Sequence, residues 1–196
     1  MAASNRGLST AYHLILVPLA VDVARRMLSA GLPPEPVEPH SPPWHPEYPQ
    51  PDSLDAIAMA FGSQEAMGYA VAEPPAWWVH QIVVDGVVVG DIGFHGPPGP
   101  EKAVEIGYSV VPGWRRRGVA SWACSLILQQ AWQDGAEIVI AETDHDNVAS
   151  QAVLLGNGFR RRPDLIAPLA LARSTRTAPV NSPDPCVFMI TRPEAR

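Results

Sequence analysis

Three guanidinium groups, a glycine and the first residues of a helical pattern follow one another in Arg115-Arg116-Arg117-Gly118-Val119-Ala120. The residues before them, VEIGYSVV at 104–111, alternate and are rich in β-formers, so they read as a strand that Pro112 and Gly113 break. From Gly118 the period changes. Val119, Trp122, Ala123, Leu126, Ile127 and Ala131 recur at helical spacing, and Gly135 stands where a helix stops. Such a strand-to-helix junction offers free backbone N–H groups and the positive end of a helix, which suits an anion. Gly118 lets a phosphate approach the main chain closely, and the arginines add charge-assisted hydrogen bonds. The chemistry expected here is the binding of a diphosphate.

A second block lies downstream in Asn147-x-x-Ser150-x-x-Val153-Leu154, closing with Gly158-Phe159. Arg115-x-x-Gly118-x-Ala120 after Val110-Val111-Pro112 resembles the acyl-CoA pyrophosphate loop of the GNAT superfamily of N-acetyltransferases. The second block resembles that family's next motif, in the expected order. The wording EIGYSVVPGWRRRGVA is similar to the branch that acetylates N-termini of ribosomal proteins, which also holds small-molecule acetyltransferases. The resemblance implies acetyl-CoA as cosubstrate and no metal. It implies contacts from Val110, Val111, Arg115, Arg116, Arg117, Gly118, Val119, Ala120, Ser121, Asn147 and Ser150, with the Val111 N–H facing the thioester carbonyl. It also implies an α/β fold: a mixed, mostly antiparallel sheet of about six to seven strands, helices on both faces, and two splayed parallel strands forming the cleft.

Acetylating an amine from a thioester needs a neutral amine, a donor for the oxyanion and a proton for the leaving thiolate. Protein amines are mostly protonated at neutral pH, so a base is required. Glu105 on the 104–111 strand is the first choice, and the alternative is a surface or lid-pairing glutamate. Many relatives return the proton from a tyrosine in the second block, where this chain has Leu154. Ser150, or a water it holds, is the substitute; its other reading is contact with the cofactor or with a backbone carbonyl. Tyr108 is a rival acid, against an ordinary core tyrosine with its hydroxyl satisfied. The Asn147 amide matches the donor and acceptor needs of pantetheine, and it can equally cap a helix. His95 and His145 fall in loops without metal-ligand spacing, so exposed histidine is the default for both. Glu142, Asp144 and Asp146 lack the glycine and final glutamate of a calcium loop. The sequence has no P-loop, dinucleotide fingerprint or serine-nucleophile elbow.

The elements that must position these groups can be followed in order. Residues 12–19 read as an opening strand and 20–30 as a helix. A second helix spans 53–67, with Ser53 as its cap. Residues 77–84 and 87–94 are β-rich runs joined by Asp85-Gly86, a strong hairpin signal. They lead antiparallel into the 104–111 strand. After the 118–135 helix comes a short strand at 137–141, which a helical crossover makes parallel to 104–111. A helix at 147–155, a strand from Phe159 and a last strand at 186–191 complete the chain.

The 196 residues fit one domain, with 46% hydrophobic and 17% charged residues, which excludes wholesale disorder. A net charge of -6 argues against nucleic acid as the main partner. The run 14–21 contains Pro18 and lacks a cleavage pattern, and no stretch is long enough to span a bilayer, so a cytoplasmic protein is expected. The oligomeric state is open, a homodimer included. Cys124 and Cys186 sit in apolar segments and read as buried free thiols.

Two segments depart from the common pattern: the proline-rich stretch 33–51 and the late insertion 163–185. Eight prolines crowd 33–49, with Trp44 and Tyr48 among them. The stretch is either a surface loop or a rigid wall over the acceptor site, with Trp44 and Tyr48 as substrate-binding residues. Glu35, Glu38, Glu47 and Asp52 make it acidic, which favours a cationic acceptor with an apolar portion. The expected activity is direct acetyl transfer from acetyl-CoA to a primary amine, of a small molecule or a protein N-terminus. The alternatives are a CoA-binding module that has lost catalysis, and an interaction protein using its prolines as an aromatic-groove ligand.

Overall fold

Asp85 and Gly86 both take positive φ, 47° and 81°, the combination a two-residue hairpin turn needs to match the right-handed twist of its strands. The computed structural model describes residues 12–30, 41–66, 71–99, 101–165 and 185–193. Its elements are β1 (Leu14–Pro18), α1 (Val21–Ala30), α2 (Pro51–Ala66), β2 (Val79–Val84), β3 (Val87–Phe94), β4 (Ala103–Val110), α3 (Val119–Gln133), β5 (Ile138–Thr143), α4 (Val148–Gly156), β6 (Arg160–Arg161) and β7 (Cys186–Thr191). The strands form one sheet of seven in the order β1-β2-β3-β4-β5-β7-β6. Every neighbouring pair is antiparallel except β4 and β5, which run parallel. The expected mixed, mostly antiparallel α/β architecture is what the chain adopts.

The central strands β2 and β3 are buried almost throughout, as strands covered by helices on both faces must be. On β4 the even residues point one way. The hydroxyl of Tyr108 meets Ser150 of α4, on the face that α3 and α4 cover. The odd residues Glu105, Gly107 and Ser109 share the other face with Asp91 and His95, under α2. Trp78 packs here fully buried, its ring edge-on to Phe61 at 4.9 Å and its Nε1–H donating to Leu19 O at 2.7 Å. Burying an indole with its one donor satisfied contributes roughly 4 kcal/mol to holding α2 on the sheet.

Some expected details differ. α2 begins at Pro51, so Ser53 lies inside the first turn and is buried instead of capping the helix. Proline suits the first helical position, because its missing N–H would be unpaired there and its φ is already helical. The strand after Phe159 has only two residues, Arg160–Arg161. The apolar middle of the late insertion lies outside the described residues beyond Leu165. Cys124 and Cys186 are buried free thiols, and burial pushes the Cys124 thiol up to about 12. Among the described residues no helix is long and apolar enough to cross a membrane, and no cluster of ligating side chains could hold a metal ion.

Candidate active site

The parallel ladder between β4 and β5 is short. It runs from Ala103 opposite Ile138 to Ile106 opposite Ala141 and then stops. Val111 N donates to Val89 O at 2.9 Å and His95 N to Glu105 O at 2.9 Å, so the odd residues of β4 bond towards β3. By alternation the N–H groups of Tyr108 and Val110 are directed to the β5 side, past the last paired residues. This corrects the expectation for Val111: its N–H is bonded within the sheet, and the Val110 N–H is the one directed towards the gap. The gap opens into a cavity of about 340 Å³ lined by Ile106, Gly107 and Tyr108 of β4, residues 141–144, Asn147, Ser150, His95, Asp91 and the α2 side chains Asp52, Asp55 and Met59.

At the α3 end, Gly118 adopts φ 80°, ψ 0°, the left-handed conformation that glycine tolerates best, and no side chain caps the helix. The first-turn N–H groups of Val119, Ala120 and Ser121 are therefore left without a side-chain cap, the arrangement a bound anion would need. The three arginines divide. Arg115 Nε donates to Val110 O at 2.8 Å, Arg116 takes φ 61° beside Gly118, and Arg117 stacks over Trp114 at 5.0 Å. Of the three, only Arg116 has no described tie to the protein frame, and all three precede the uncapped helix end in the chain. Gly118→Val would force a β-branched residue into a left-handed conformation and fill the approach to the loop. A folded Gly118→Val variant is expected to bind acetyl-CoA at least about tenfold more weakly by calorimetry, a loss of about 1.4 kcal/mol.

Glu105 and His95 meet on the α2 face. His95 Nδ1 lies 2.9 Å from Glu105 Oε1, with both side chains mostly buried. The separation is that of an ion pair, although the alignment falls short of a hydrogen bond at Nδ1. The imidazole then leans over Gly107, where an added Cβ would stand 2.6 Å from Nε2. Two bonds fix the loop carrying it: His95 N donates to Glu105 O at 2.9 Å, and Ser63 Oγ of α2 donates to His95 O at 2.5 Å. His95 is thus a site residue that a loop reading misses. The signal was available: the hairpin register pairs 93 with 107, and two more residues on each side bring 95 opposite 105. Gly107→Val is expected to push the imidazole aside at little cost to the fold, because the clash is with the end of a flexible side chain. Thermal melts should change little, while amine-dependent release of CoA falls about tenfold or more.

Across the gap, Ser150 Oγ lies 2.8 Å from the Tyr108 hydroxyl. Burial pushes the Tyr108 phenol well above its ordinary range, so it stays protonated and can donate. Asn147 caps α4 through Oδ1, which accepts from Ser150 N at 3.1 Å, so its helix-capping role is present. Leu154, at the family's tyrosine position, is fully buried and serves the core.

Trp44 and Tyr48 are not where an acceptor wall would need them. Trp44 bridges to Val88, with Val88 N bonding Pro43 O and His45 N bonding Val88 O, so residues 43–45 continue the lane that β4 vacates. Tyr48 is 2% exposed and edge-on to Trp44 at 5.1 Å. It stands behind the cavity, next to Asp91, and neither aromatic residue lines the opening. Alternating prolines cannot pair as a full strand, but a single carbonyl and a single N–H suffice to strap the segment down. Asp91 is the second residue missed. A carboxylate within the apolar central strand VVVGDIGF was its signal.

Comparison with known proteins bears on this arrangement. Among curated proteins none matches the chain. Of solved structures, an acetyltransferase from Agrobacterium tumefaciens is 19% identical, with 97% of this chain and 100% of that one covered at a TM-score of 0.52. RimJ of Mycobacterium smegmatis, solved with CoA-disulfide, is 20% identical over 91% of this chain and 81% of its own, with a TM-score of 0.54. The microcin C7 self-immunity acetyltransferase MccE, solved with acetyl-CoA and AMP, is 16% identical over 72% and 71%, with a TM-score of 0.50. At these identities the likeness is one of fold. The family model described as acetyltransferase (GNAT) domain matches residues 13–160, three quarters of the chain and every element from β1 to the start of β6, and the protein belongs to the GNAT acetyltransferase family.

Proposed function

We propose that the protein transfers an acetyl group from acetyl-CoA to a primary amine by direct attack in a ternary complex. One observation carries this reading: the gap between β4 and β5, with the Tyr108 and Val110 N–H groups on its edge, opens into the same cavity as the His95–Glu105 pair. The diphosphate lies at the uncapped start of α3, and the pantetheine arm takes the place of a strand in the gap. Val110, with Tyr108, supplies N–H donors to that arm and to the thioester carbonyl, where negative charge develops. The amine nitrogen attacks that carbonyl from the α2 side. Its proton passes to the His95–Glu105 pair, Glu105 orienting the ring and balancing the charge it gains. The C–S bond breaks, and the sulfur departs as a thiolate that accepts a hydrogen bond from the Tyr108–Ser150 pair and takes its proton from solvent. Among the described residues, the cavity is lined by the acidic side chains of Asp52, Asp55, Asp91, Glu142 and Asp144 and by no lysine or arginine, which favours a cationic amine. Its apolar part comes from Met59, Ala56 and Ile106, in place of the aromatic wall expected at Trp44 and Tyr48.

Acetyl-CoA-dependent mass gain across a panel of amines tests the reading, with free-N-terminal peptides included because RimJ shares the fold. An amine that gains an acetyl group while CoA appears in equal amount is the expected result. CoA release that ignores every added amine would overturn it.

A further inference from the structure

The partners of Asn157 fix which way its carboxamide points. Asn157 stands at the C-terminal end of α4, with Nδ2 2.9 Å from Val153 O and 3.2 Å from Ser121 Oγ. A carbonyl oxygen only accepts, so the nitrogen of the amide and not its oxygen must face Val153. The second N–H then donates to Ser121 Oγ, 36 residues away on the first turn of α3. Because Ser121 accepts there, its own hydroxyl proton is left to donate elsewhere. Its side chain makes no other hydrogen bond among the described residues, not even the common one back to the carbonyl of the preceding turn. Side chains on a helix tilt towards its N-terminus, so this proton is available at the uncapped start of α3, beside the N–H groups of Val119, Ala120 and Ser121.

We infer that Asn157 is a positioning residue for the cosubstrate: it holds the Ser121 hydroxyl so that this hydroxyl donates to the diphosphate. The inference rests on the acetyl-CoA reading for the identity of the anion. A hydroxyl donating to a phosphate oxygen makes a charge-assisted hydrogen bond, stronger than one between neutral groups. Fixing its oxygen in advance removes part of the ordering cost that binding would otherwise carry. The same helix serves the other end of the ligand. Asn147 and Ser150, at the start of α4, line the cavity into which the β4–β5 gap opens, and Ser150 holds the Tyr108 hydroxyl. Asn157 lies about 15 Å from Asn147 along the helix axis at the usual rise per residue, and it reaches α3. One rigid element thus runs from the gap proposed for the pantetheine arm to the helix start proposed for the diphosphate. A thioester without phosphates would use only the first of these ends.

The test compares acetyl-CoA with S-acetylpantetheine, a donor that lacks the diphosphate, for the unaltered protein, Asn157→Ala, Ser121→Ala and the double variant. The ratio of kcat/KM between the two donors is expected to fall about tenfold in each single variant, the worth of one hydrogen bond to a charged group. The double variant should fall no further than Ser121→Ala, since Asn157 acts through that hydroxyl. If Asn157 only capped α4, both donors would slow alike and the ratio would stay. Calorimetry with CoA needs no turnover and is the second measurement; the Kd should rise by the same factor in both folded single variants. An unchanged ratio with an unchanged Kd, or costs that multiply in the double variant, overturns the inference and leaves acetyl transfer standing. If no amine turns over, the transfer reading fails and calorimetry alone decides: a Kd raised in both single variants keeps the inference, and an unchanged Kd removes it. Absence of CoA binding by the unaltered protein would overturn the cosubstrate reading and the inference together.

Discussion

Glu105→Gln is expected to leave acetyl-CoA affinity intact and to lower turnover by about 10²-fold, the usual contribution of a positioned base. The affinity is spared because the contacts proposed for the diphosphate and the pantetheine arm are at α3 and along the gap, away from the odd face of β4. Turnover falls because an amide cannot balance the charge that the 2.9 Å partner His95 gains on accepting a proton. If the two side chains act as one unit, His95→Gln costs a similar factor. The double variant is then hardly slower than either single one, since removing half of a unit already disables it. Calorimetry with acetyl-CoA and steady-state rates with a responsive amine measure both quantities. Costs that multiply in the double variant would mean two independent roles, and full activity in Glu105→Gln would return the task to water.

Asp91→Asn is expected to stabilise the protein at high pH and not at low pH. The ordinary value for the group is 3.8 and burial raises it to about 7. Below about pH 4 the folded and unfolded chains both hold the proton, and no penalty exists. Between pH 4 and 7 the unfolded chain has lost its proton while the folded one retains it, so stability falls as pH rises. Above pH 7 the penalty is complete, with a ceiling of about 4 kcal/mol for a shift of about three units. Asparagine carries no charge to desolvate and escapes it. Urea unfolding at pH 5 and pH 8 should therefore show a larger gain for the variant at pH 8, by about 2 kcal/mol or more. Equal gains at both pH values would show that Asp91 does not titrate differently on folding.

These two residues also mark how far the sequence alone reaches. The strand-glycine-helix junction around Gly118 and the Asp85-Gly86 hairpin are local features, each legible within a dozen residues because turn chemistry and periodicity are local. The parallel placement of β5 followed as well, since a helical crossover leaves little choice. His95 and Asp91 were not read, because their roles depend on which residue faces them across a strand. Glu105 gives His95 its partner, and Tyr48 and Ser53 give Asp91 its surroundings, from segments far away in the chain. The proline-rich segment failed for a related reason. Its composition excludes regular structure but does not say which way Tyr48 turns, and burial in the core turned it inwards. The Val111 expectation missed by one residue, which along a strand is enough to exchange one edge for the other.

The short ladder between β4 and β5 has a further consequence. Four residue pairs join the antiparallel block β1–β4 to the block β5, β7 and β6, fewer than any other junction inside the sheet apart from its β6 edge. A cosubstrate arm that bonds along the unpaired stretch of β4 lengthens that seam, acting as a structural member of the sheet as well as a reactant. Occupancy and fold stability are then thermodynamically linked, by about 2.7 kcal/mol at a hundredfold excess over Kd. If acetyl-CoA binds as proposed, the working form of the molecule is the one whose seam is filled, and loss of the cosubstrate would loosen the protein along that same line.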